Sequence, residues 1–475
     1  MRDLPELEGF WWVPSDPEQQ LAGRITSDND AAKLILTIDR PNPSGGIFSN
    51  RDHRDYEVLH GRTTDGKLVT LLKCFDLNSS WSSSGIEKRI ILANYVLVGG
   101  LVPEEMLEQA FSKLSLKWPA LQRWFFHSGV EVEHDRGNLR SFKVTYKPQE
   151  QIRFSYSEDS EINFVFGTDK LPMGGPLAEG INFKEVVWVE VQKNEPAGLS
   201  YYLERLNELV HFFSICVLEY NHPEKVSLIG AFSIEKLDDG KEMPPLLEVY
   251  FSSVQEPESN RLPHPIEVLL PYGSIKDDFS GLLSNWAKAA ESLSPARSLY
   301  FSSLYGQTRY VESTFLSLAQ AAEVLHRRRY GGTYIDTVDY ENRVKPNLID
   351  AIPHELPSDV KTAFSQRLSF FNEISLAKRL KELCRNNKDV LDSFVSDWKG
   401  KIRKVVSARN YYTHYSEAQG TSKPDINELV EAREFLRMIL ELEMLIAAGI
   451  NIEILHDRAK QCQRYRWRFP IDRGQ

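Results

Sequence analysis

The chain has 475 residues, 41% of them hydrophobic and 26% charged, with a formal charge of −10. These values describe a globular protein of roughly two or three domains. They exclude a protein that coats nucleic acid through its overall charge, while leaving room for a local basic surface. The four cysteines, Cys74, Cys216, Cys384 and Cys462, lie far apart. They make neither the paired spacing of a zinc knuckle nor a disulfide scaffold, and reduced thiols in a cytoplasmic setting fit them best. Met1-Arg2-Asp3-Leu4-Pro5 lacks the apolar core of a signal peptide. The longest apolar run, Ile90 to Val102, is interrupted by Asn94 and Gly99-Gly100, so no membrane span is expected.

The first part reads as β-rich. Strand-like alternation of apolar and polar residues recurs at 33–38, 67–75, 89–98, 141–147, 151–156, 162–166 and 186–192. Gly, Asn, Asp and Pro separate the runs, as in the stretch from Asp39 to Gly46. Pro103-Glu104-Glu105 has the form of a helix start, with a proline in the first turn and acids near the positive end, and predicts a helix running to Trp118, where Pro119 stops it. A second helix, 199–220, is apolar on all sides and therefore expected to be buried. Strands return at 226–232, 246–251 and 266–270.

Past Pro271 the alternation disappears and helical spacing takes over, at 280–293, 309–328, 358–386, 389–414 and 425–449. The boundary falls between residues 272 and 295. The expected fold is α+β: a β-rich domain over 1–290, divisible into two sub-lobes, then an all-α bundle over 291–475. Asp425 with Glu428 three residues on, just after Pro424, forms an N-terminal capping pattern. The loop from Tyr415 to Pro424 would join two long helices as an antiparallel hairpin, placing His414 at the mouth of the bundle beside a polar loop.

The candidate site is Ser407-Ala408-Arg409-Asn410-Tyr411-Tyr412-Thr413-His414-Tyr415. Histidine moves protons near neutral pH, and arginine grips a phosphate through two parallel hydrogen bonds. Together they suit cleavage of a phosphodiester. At about 100° per residue, Asn410 and His414 stack on one helix face. Arg409 points about 100° away from Asn410, on the side of Thr413. A surface arginine beside a packing or capping histidine is the commoner arrangement, and spacing alone leaves both readings open.

Between Leu376 and Arg409 ten basic residues (Lys378, Arg379, Lys381, Arg385, Lys388, Lys399, Lys401, Arg403, Lys404 and Arg409) face four acids (Glu382, Asp389, Asp392 and Asp397). The tail adds Arg458, Lys460, Arg464, Arg466, Arg468 and Arg473. Such a run reads equally as a solvated face or an RNA-facing surface. Other signals fail on inspection. His53-Arg54-Asp55 imitates a kinase catalytic loop without its asparagine. Gly99-Gly100 and Gly174-Gly175 lack the partner residues of a phosphate loop. Asp28-Asn29-Asp30 lacks the offsets of a calcium loop. His60, His127 and His134 are isolated, so no metal and no cofactor is expected.

Arg409-Asn410-x-x-x-His414, late in a helical segment, resembles the R-x4-6-H motif of HEPN-domain ribonucleases. The run from Val311 to Arg327 is similar to the first long helix of the ApeA-like branch of that superfamily. Phe10-Trp11-Trp12-Val13-Pro14, Gly23, Leu59-His60-Gly61, Thr64, Gly66, Thr70 and Leu71 resemble the ApeA-type N-terminal domain. Between about Pro148 and Tyr310 no residue-by-residue match is found. The resemblance implies a metal-independent endoribonuclease of anti-phage abortive infection, acting on tRNA-like RNA and leaving 2′,3′-cyclic phosphate or 3′-phosphate ends. It implies Arg409, Asn410 and His414 as catalytic residues, a homodimer with a composite site, and an N-terminal domain that senses a phage-derived trigger protein. The contrasting readings are a non-catalytic HEPN dimerisation module and a β-rich ligand-binding protein.

Overall fold

The computed structural model of the chain describes residues 4–28, 31–39, 55–81, 86–134, 142–170, 183–232, 235–236, 242–252, 262–306, 310–414 and 423–469. Asn29, Asp30, His53, Arg54 and Gly174-Gly175 lie outside them, as does the side chain of His414. The chain divides into two compact units. The first comprises 1–214, 220–265 and 271–280, and the second 215–219, 266–270 and 281–475.

The first unit begins with a closed antiparallel barrel of six strands: β1 (Leu7–Trp12), β2 (Leu21–Asp28), β3 (Ala31–Asp39), β4 (Asp55–Thr63), β5 (Leu68–Trp81) and β6 (Ile86–Val98). The ring runs β1–β2–β3–β6–β5–β4 and back to β1. Alternation fills it: Ile25, Leu34, Leu36, Leu59, Val69, Leu71, Ile91 and Val96 all point into one core. Trp11 is fully buried there and its indole donates to the Gly23 carbonyl at 3.0 Å. The tryptophan lies flat on Gly61, where a Cβ would stand 2.2 Å from its ring, so that position requires glycine. His60 is buried, with Nε2 2.8 Å from the Val102 carbonyl, a partner that accounts for it without a metal.

Further strands are β7 (Phe111–Lys117), the hairpin β8 (Val130–His134) with β9 (Phe142–Tyr146), β10 (Ile152–Ser157), β11 (Ser160–Thr168), β12 (Glu185–Ala197) and β13 (Lys225–Gly230). The two-residue pair β14 (Glu235–Lys236) and β15 (Glu242–Met243) precedes β16 (Leu246–Phe251). Strand β6 links barrel and open sheet along one edge. Residues 86–93 pair with β3, and 95–98 pair with β16. From there the sheet continues β16–β13–β7–β12–β11–β10. Against it lie α1 (Leu121–Phe125) and α2 (Leu199–Val217), with Trp124, Phe125, Phe164, Phe213 and Phe279 in mutual ring contact.

Two expectations are corrected in this half. The helix predicted from Pro103 to Trp118 is a 3₁₀ turn, Glu104–Gln109, followed by β7, which pairs on both sides with β12 and β13. Phe111, Leu114 and Leu116 are buried while Lys113 and Lys117 are not. The strand alternation at 114–117 outweighs the helix-like opening. The strand expected at 266–270 is absent too: a 3₁₀ turn, Pro265–Glu267, stands there, and Leu269 and Leu270 both donate to the Cys216 carbonyl, at 2.9 and 3.1 Å.

The helical unit contains α3 (Phe279–Ser292), α4 (Ser294–Tyr305), α5 (Val311–Tyr330), α6 (Thr337–Asp339) running into a π turn (Tyr340–Val344), α7 (Lys345–Asp350) and α8 (Ser358–Leu368). Then come α9 (Leu376–Asn386), α10 (Lys388–Phe394), α11 (Trp398–His414), α12 (Ile426–Ala447), α13 (Ile452–Gln461) and α14 (Gln463–Arg468). The expected helix 358–386 is broken at 369–375. There Asn372 hydrogen-bonds both backbone groups of Ile335, at 3.0 and 2.9 Å, and Ser375 caps α9. The expected helix 389–414 is broken at 395–397, where Asp397 Oδ1 accepts from the Gly400 N–H at 2.8 Å. Each break coincides with a Ser or Asp cap.

Helix α12 is the axis of the bundle, packed on α5, α9, α11 and α14, with Phe435, Leu436 and the run from Met438 to Leu445 buried. That buried run includes Glu441 and Glu443. Arg468 Nη1 donates to Glu441 at 2.7 Å and its Nε lies 3.3 Å from Glu434, while the Tyr300 hydroxyl donates to Glu441 at 2.8 Å. Glu443 receives Arg329 at 2.6 Å and Asn387 at 2.7 Å. Buried carboxylates of this kind are tolerated because every one is paired. The segments 215–219 and 266–270 are held the same way. Arg464 pairs with Glu219 and, at 3.3 Å, with Glu267, and Arg458 donates to the carbonyls of Leu269 and Val268 at 3.3 and 3.2 Å. No described helix is long and apolar enough to cross a membrane.

Candidate active site

Helix α11 carries three stripes. Trp398, Ile402, Val405, Ala408 and Tyr412 recur every three or four residues and are buried; the helix packs on α5, α9 and α12. Lys401 and Lys404 lie one turn apart on the flank facing α12, Lys401 paired with Glu431 and Lys404 with Glu428 at 2.8 Å. Residue numbers rise on one helix as they fall on the other, so the two run antiparallel, as expected, while 415–422 of the loop expected to join them lie outside the described residues. Asp425 caps α12 by accepting from the Asn427 N–H at 2.8 Å. The third stripe is exposed and holds Lys399, Arg403, Ser407 and Asn410; helical register puts His414 on it as well.

Arg409 belongs to none of these. It lies five positions before His414, a rotation of about 140° on the helix. Its side chain is half-buried at the edge of the apolar stripe. From there the guanidinium swings towards the exposed stripe, with Nη1 3.4 Å from Asn410 Oδ1. The Thr413 hydroxyl donates to the Arg409 carbonyl at 2.7 Å, tying down the last turn. Among the described residues no carboxylate pairs with Arg409.

The structure also sorts the basic run. Arg379 is buried and donates to the Gly331 and Gly332 carbonyls at 3.2 and 3.4 Å and to His326 Nδ1 at 3.3 Å. His326 in turn donates from Nε2 to Glu382 at 2.7 Å. Lys388 lies 3.6 Å from Asp392. Lys401 and Lys404 are tied to α12. The tail arginines Arg458, Arg464 and Arg468 are spent inside the bundle and form neither a solvated nor an RNA-facing surface. Beside the motif on α11, Lys399 and Arg403 are exposed and have no hydrogen-bonded carboxylate among the described residues. Among the described residues no group of three His, Cys, Asp or Glu side chains is placed to hold a metal ion.

A family model for ApeA N-terminal domain 1 matches residues 6–286, and a model for the Apea-like HEPN domain matches 316–454. No curated protein and no solved structure matches the chain. The first match spans more than half of the sequence and contains the barrel and the open sheet; the second runs from within α5 through α12 and contains Arg409, Asn410 and His414. HEPN domains are generally ribonucleases, and they typically dimerise and bind RNA. The barrel around Trp11 and Gly61, the helical bundle around α12 and the two matches together place this chain in the ApeA family of HEPN-containing anti-phage defence proteins.

Proposed function

We propose that the protein is a metal-independent endoribonuclease that cuts tRNA-like RNA in the cytoplasm during abortive infection, with Arg409, Asn410 and His414 as its catalytic residues. The observation that carries the reading is the guanidinium of Arg409, which has no carboxylate partner among the described residues and is turned to Asn410 in the last turns of α11. A half-buried cation without a carboxylate is suited to an incoming phosphate. In the reaction the substrate's own 2′-OH attacks the adjacent phosphorus and the bond to the 5′ oxygen breaks. One proton leaves the 2′ oxygen and another reaches the 5′ oxygen, leaving a 2′,3′-cyclic phosphate and a 5′-OH. His414 moves a proton in this exchange, worth about 10²–10⁴-fold. Arg409 stabilises the charge on the phosphorane, worth about 3–4 kcal/mol. Asn410 orients His414 or the phosphate.

The rotation of about 140° between Arg409 and His414 favours a site assembled from two copies of α11 in a homodimer. The β-rich unit senses a phage-derived trigger protein and releases the nuclease. The test is incubation of purified protein with total tRNA, with and without EDTA, followed by analysis of the product ends. Cleavage that survives EDTA and leaves cyclic phosphate supports the reading. Intact tRNA in the presence of phage lysate, which supplies any trigger, counts against it.

A further inference from the structure

The mechanism above uses only the last turns of α11. The exposed stripe begins three turns earlier, at Lys399. Lys399, Arg403 and Ser407 follow one another at four-residue intervals, and Asn410 and His414 complete the row within about 80° of arc. Each four-residue step advances about 6 Å along the axis, comparable to the distance between adjacent phosphates of an extended single strand. The row spans about 22 Å from Lys399 to His414.

Charge use separates this stripe from its neighbour. Lys401 and Lys404 are equally close in sequence, but each is hydrogen-bonded to a carboxylate of α12, Glu431 and Glu428. Among the described residues Arg403 has only Asp397, at 3.8 Å, with both side chains open to water, 77% and 68% exposed; a contact so exposed is worth little. Asp397 is itself occupied capping the helix through Gly400. Lys399 sits 5.7 Å from the centre of the Trp398 ring and has no carboxylate partner among the described residues. A helix that has spent two lysines on its packing partner and left two cations outward, in line with the motif, offers a path for a polyanion.

We propose that Lys399, Arg403 and Ser407 form a phosphate track that guides a single-stranded stretch of RNA along α11 to the cleavage motif. Lys399 and Arg403 take successive backbone phosphates, and the Ser407 hydroxyl donates to the phosphate nearest the cut. These are positioning residues: they hold the flank of the substrate and touch no reacting atom. The track rests on the ribonuclease reading for its purpose, but its binding can be measured without cleavage.

The experiment uses the full-length protein and an unstructured 2′-O-methyl RNA, which lacks the nucleophile and is bound without being cut. Fluorescence anisotropy gives affinity as a function of salt. In Lys399→Ala/Arg403→Ala the plot of log affinity against log salt should become shallower by about 1.4, two phosphates at about 0.7 each for a single strand. In Lys401→Ala/Lys404→Ala, which removes the same charge from the tied flank, the slope should stay at the parent value. Arg403→Lys should restore most of the slope. In tRNA cleavage the Lys399/Arg403 variant should raise KM and keep kcat, the mark of lost ground-state binding. A parent slope in the Lys399/Arg403 variant, or an equal drop in both double variants, overturns the track. A slope change with no cleavage in any variant keeps the track and removes the ribonuclease reading. Normal cleavage with parent KM and slope in the Lys399/Arg403 variant does the reverse.

Discussion

Arg409 Nη1 and Asn410 Oδ1 stand 3.4 Å apart on consecutive residues of α11. Neighbours in sequence normally diverge on a helix by about 100°, so the contact records the guanidinium reaching across the helix surface. It is too long to fix the arginine by itself. It does set the direction in which a phosphate would meet both groups.

Substitutions at this end should act on chemistry and leave the fold alone. Arg409→Ala should cost about 3–4 kcal/mol of transition-state stabilisation, and His414→Ala about 10²–10⁴ in rate. Arg409→Lys keeps the charge but loses the two-pronged grip and should rescue poorly. Asn410→Ala should be milder than either. Melting temperatures of all four should stay close to the parent, since Asn410 is exposed and the half-buried Arg409 makes no ion pair among the described residues. Unchanged tRNA cleavage in His414→Ala would remove the catalytic assignment.

Mixing variants tests whether two chains share the site. If Arg409 of one copy serves His414 of another, Arg409→Ala and His414→Ala proteins, each inactive alone, should regain up to about a quarter of parent activity after subunit exchange, because a twofold heterodimer retains one intact pairing. No recovery, with exchange verified by tagged subunits, would place the site within one chain.

The carboxylates of α12 set a stability prediction. Arg468→Met leaves Glu441 buried with only a tyrosine hydroxyl, and should cost about 3–5 kcal/mol in chemical denaturation. Burial pushes the Glu434 carboxyl up, but the guanidiniums of Arg437, Arg468 and Arg433 overcome it and hold it below its usual value near 4.5. A depressed carboxylate stabilises the fold above its unfolded pKa and loses that contribution as pH falls through its folded pKa. The parent should therefore lose melting temperature below pH about 4.5, and Glu434→Gln should show a shallower decline. Equal acid slopes would mean that other carboxylates dominate.

In the barrel, Gly61→Ala would drive a methyl to 2.2 Å from the Trp11 ring. Overpacking of this kind costs about 1–3 kcal/mol or more. Gly66→Ala meets no atom within 4 Å but must hold φ at +87°, a conformation that costs about 1–2 kcal/mol for other residues. Thermal melts should show both losses, while Gly61→Ala alone should also disturb Trp11 fluorescence. A neutral Gly61→Ala would mean that the tryptophan can shift without penalty.

Much of this was legible in the sequence where the signal is local. Alternation located most of the strands, and helical spacing located α3, α5 and α12 within a few residues. The motif on α11 was visible because its residues are within one and a half turns of each other. Strand β7 was missed because Pro103-Glu104-Glu105 opens like a helix and only four alternating residues contradict it. The breaks before α9 and α11 were missed because a Ser or Asp cap in a basic run looks like any polar surface position. The sorting of lysines was out of reach for a different reason. Lys401 and Lys399 look alike until Glu431, thirty residues on, is brought beside one and not the other. The same holds for Arg464, whose partners Glu219 and Glu267 are some two hundred residues away.

The inclusion of 215–219 and 266–270 among the helices bears on how such proteins can recombine. The helical unit is not a contiguous length of gene. A crossover near residue 290, where the two family matches part, would bring in foreign residues at positions 219 and 267 to meet a resident Arg464, and a foreign turn at 268–269 to meet Arg458. A chimaera that lacks both acids keeps every residue of its motif and begins life with a half-buried Arg464 lacking these counter-charges. Exchange of N-terminal portions between relatives thereby favours donors that carry matching acids at those two places.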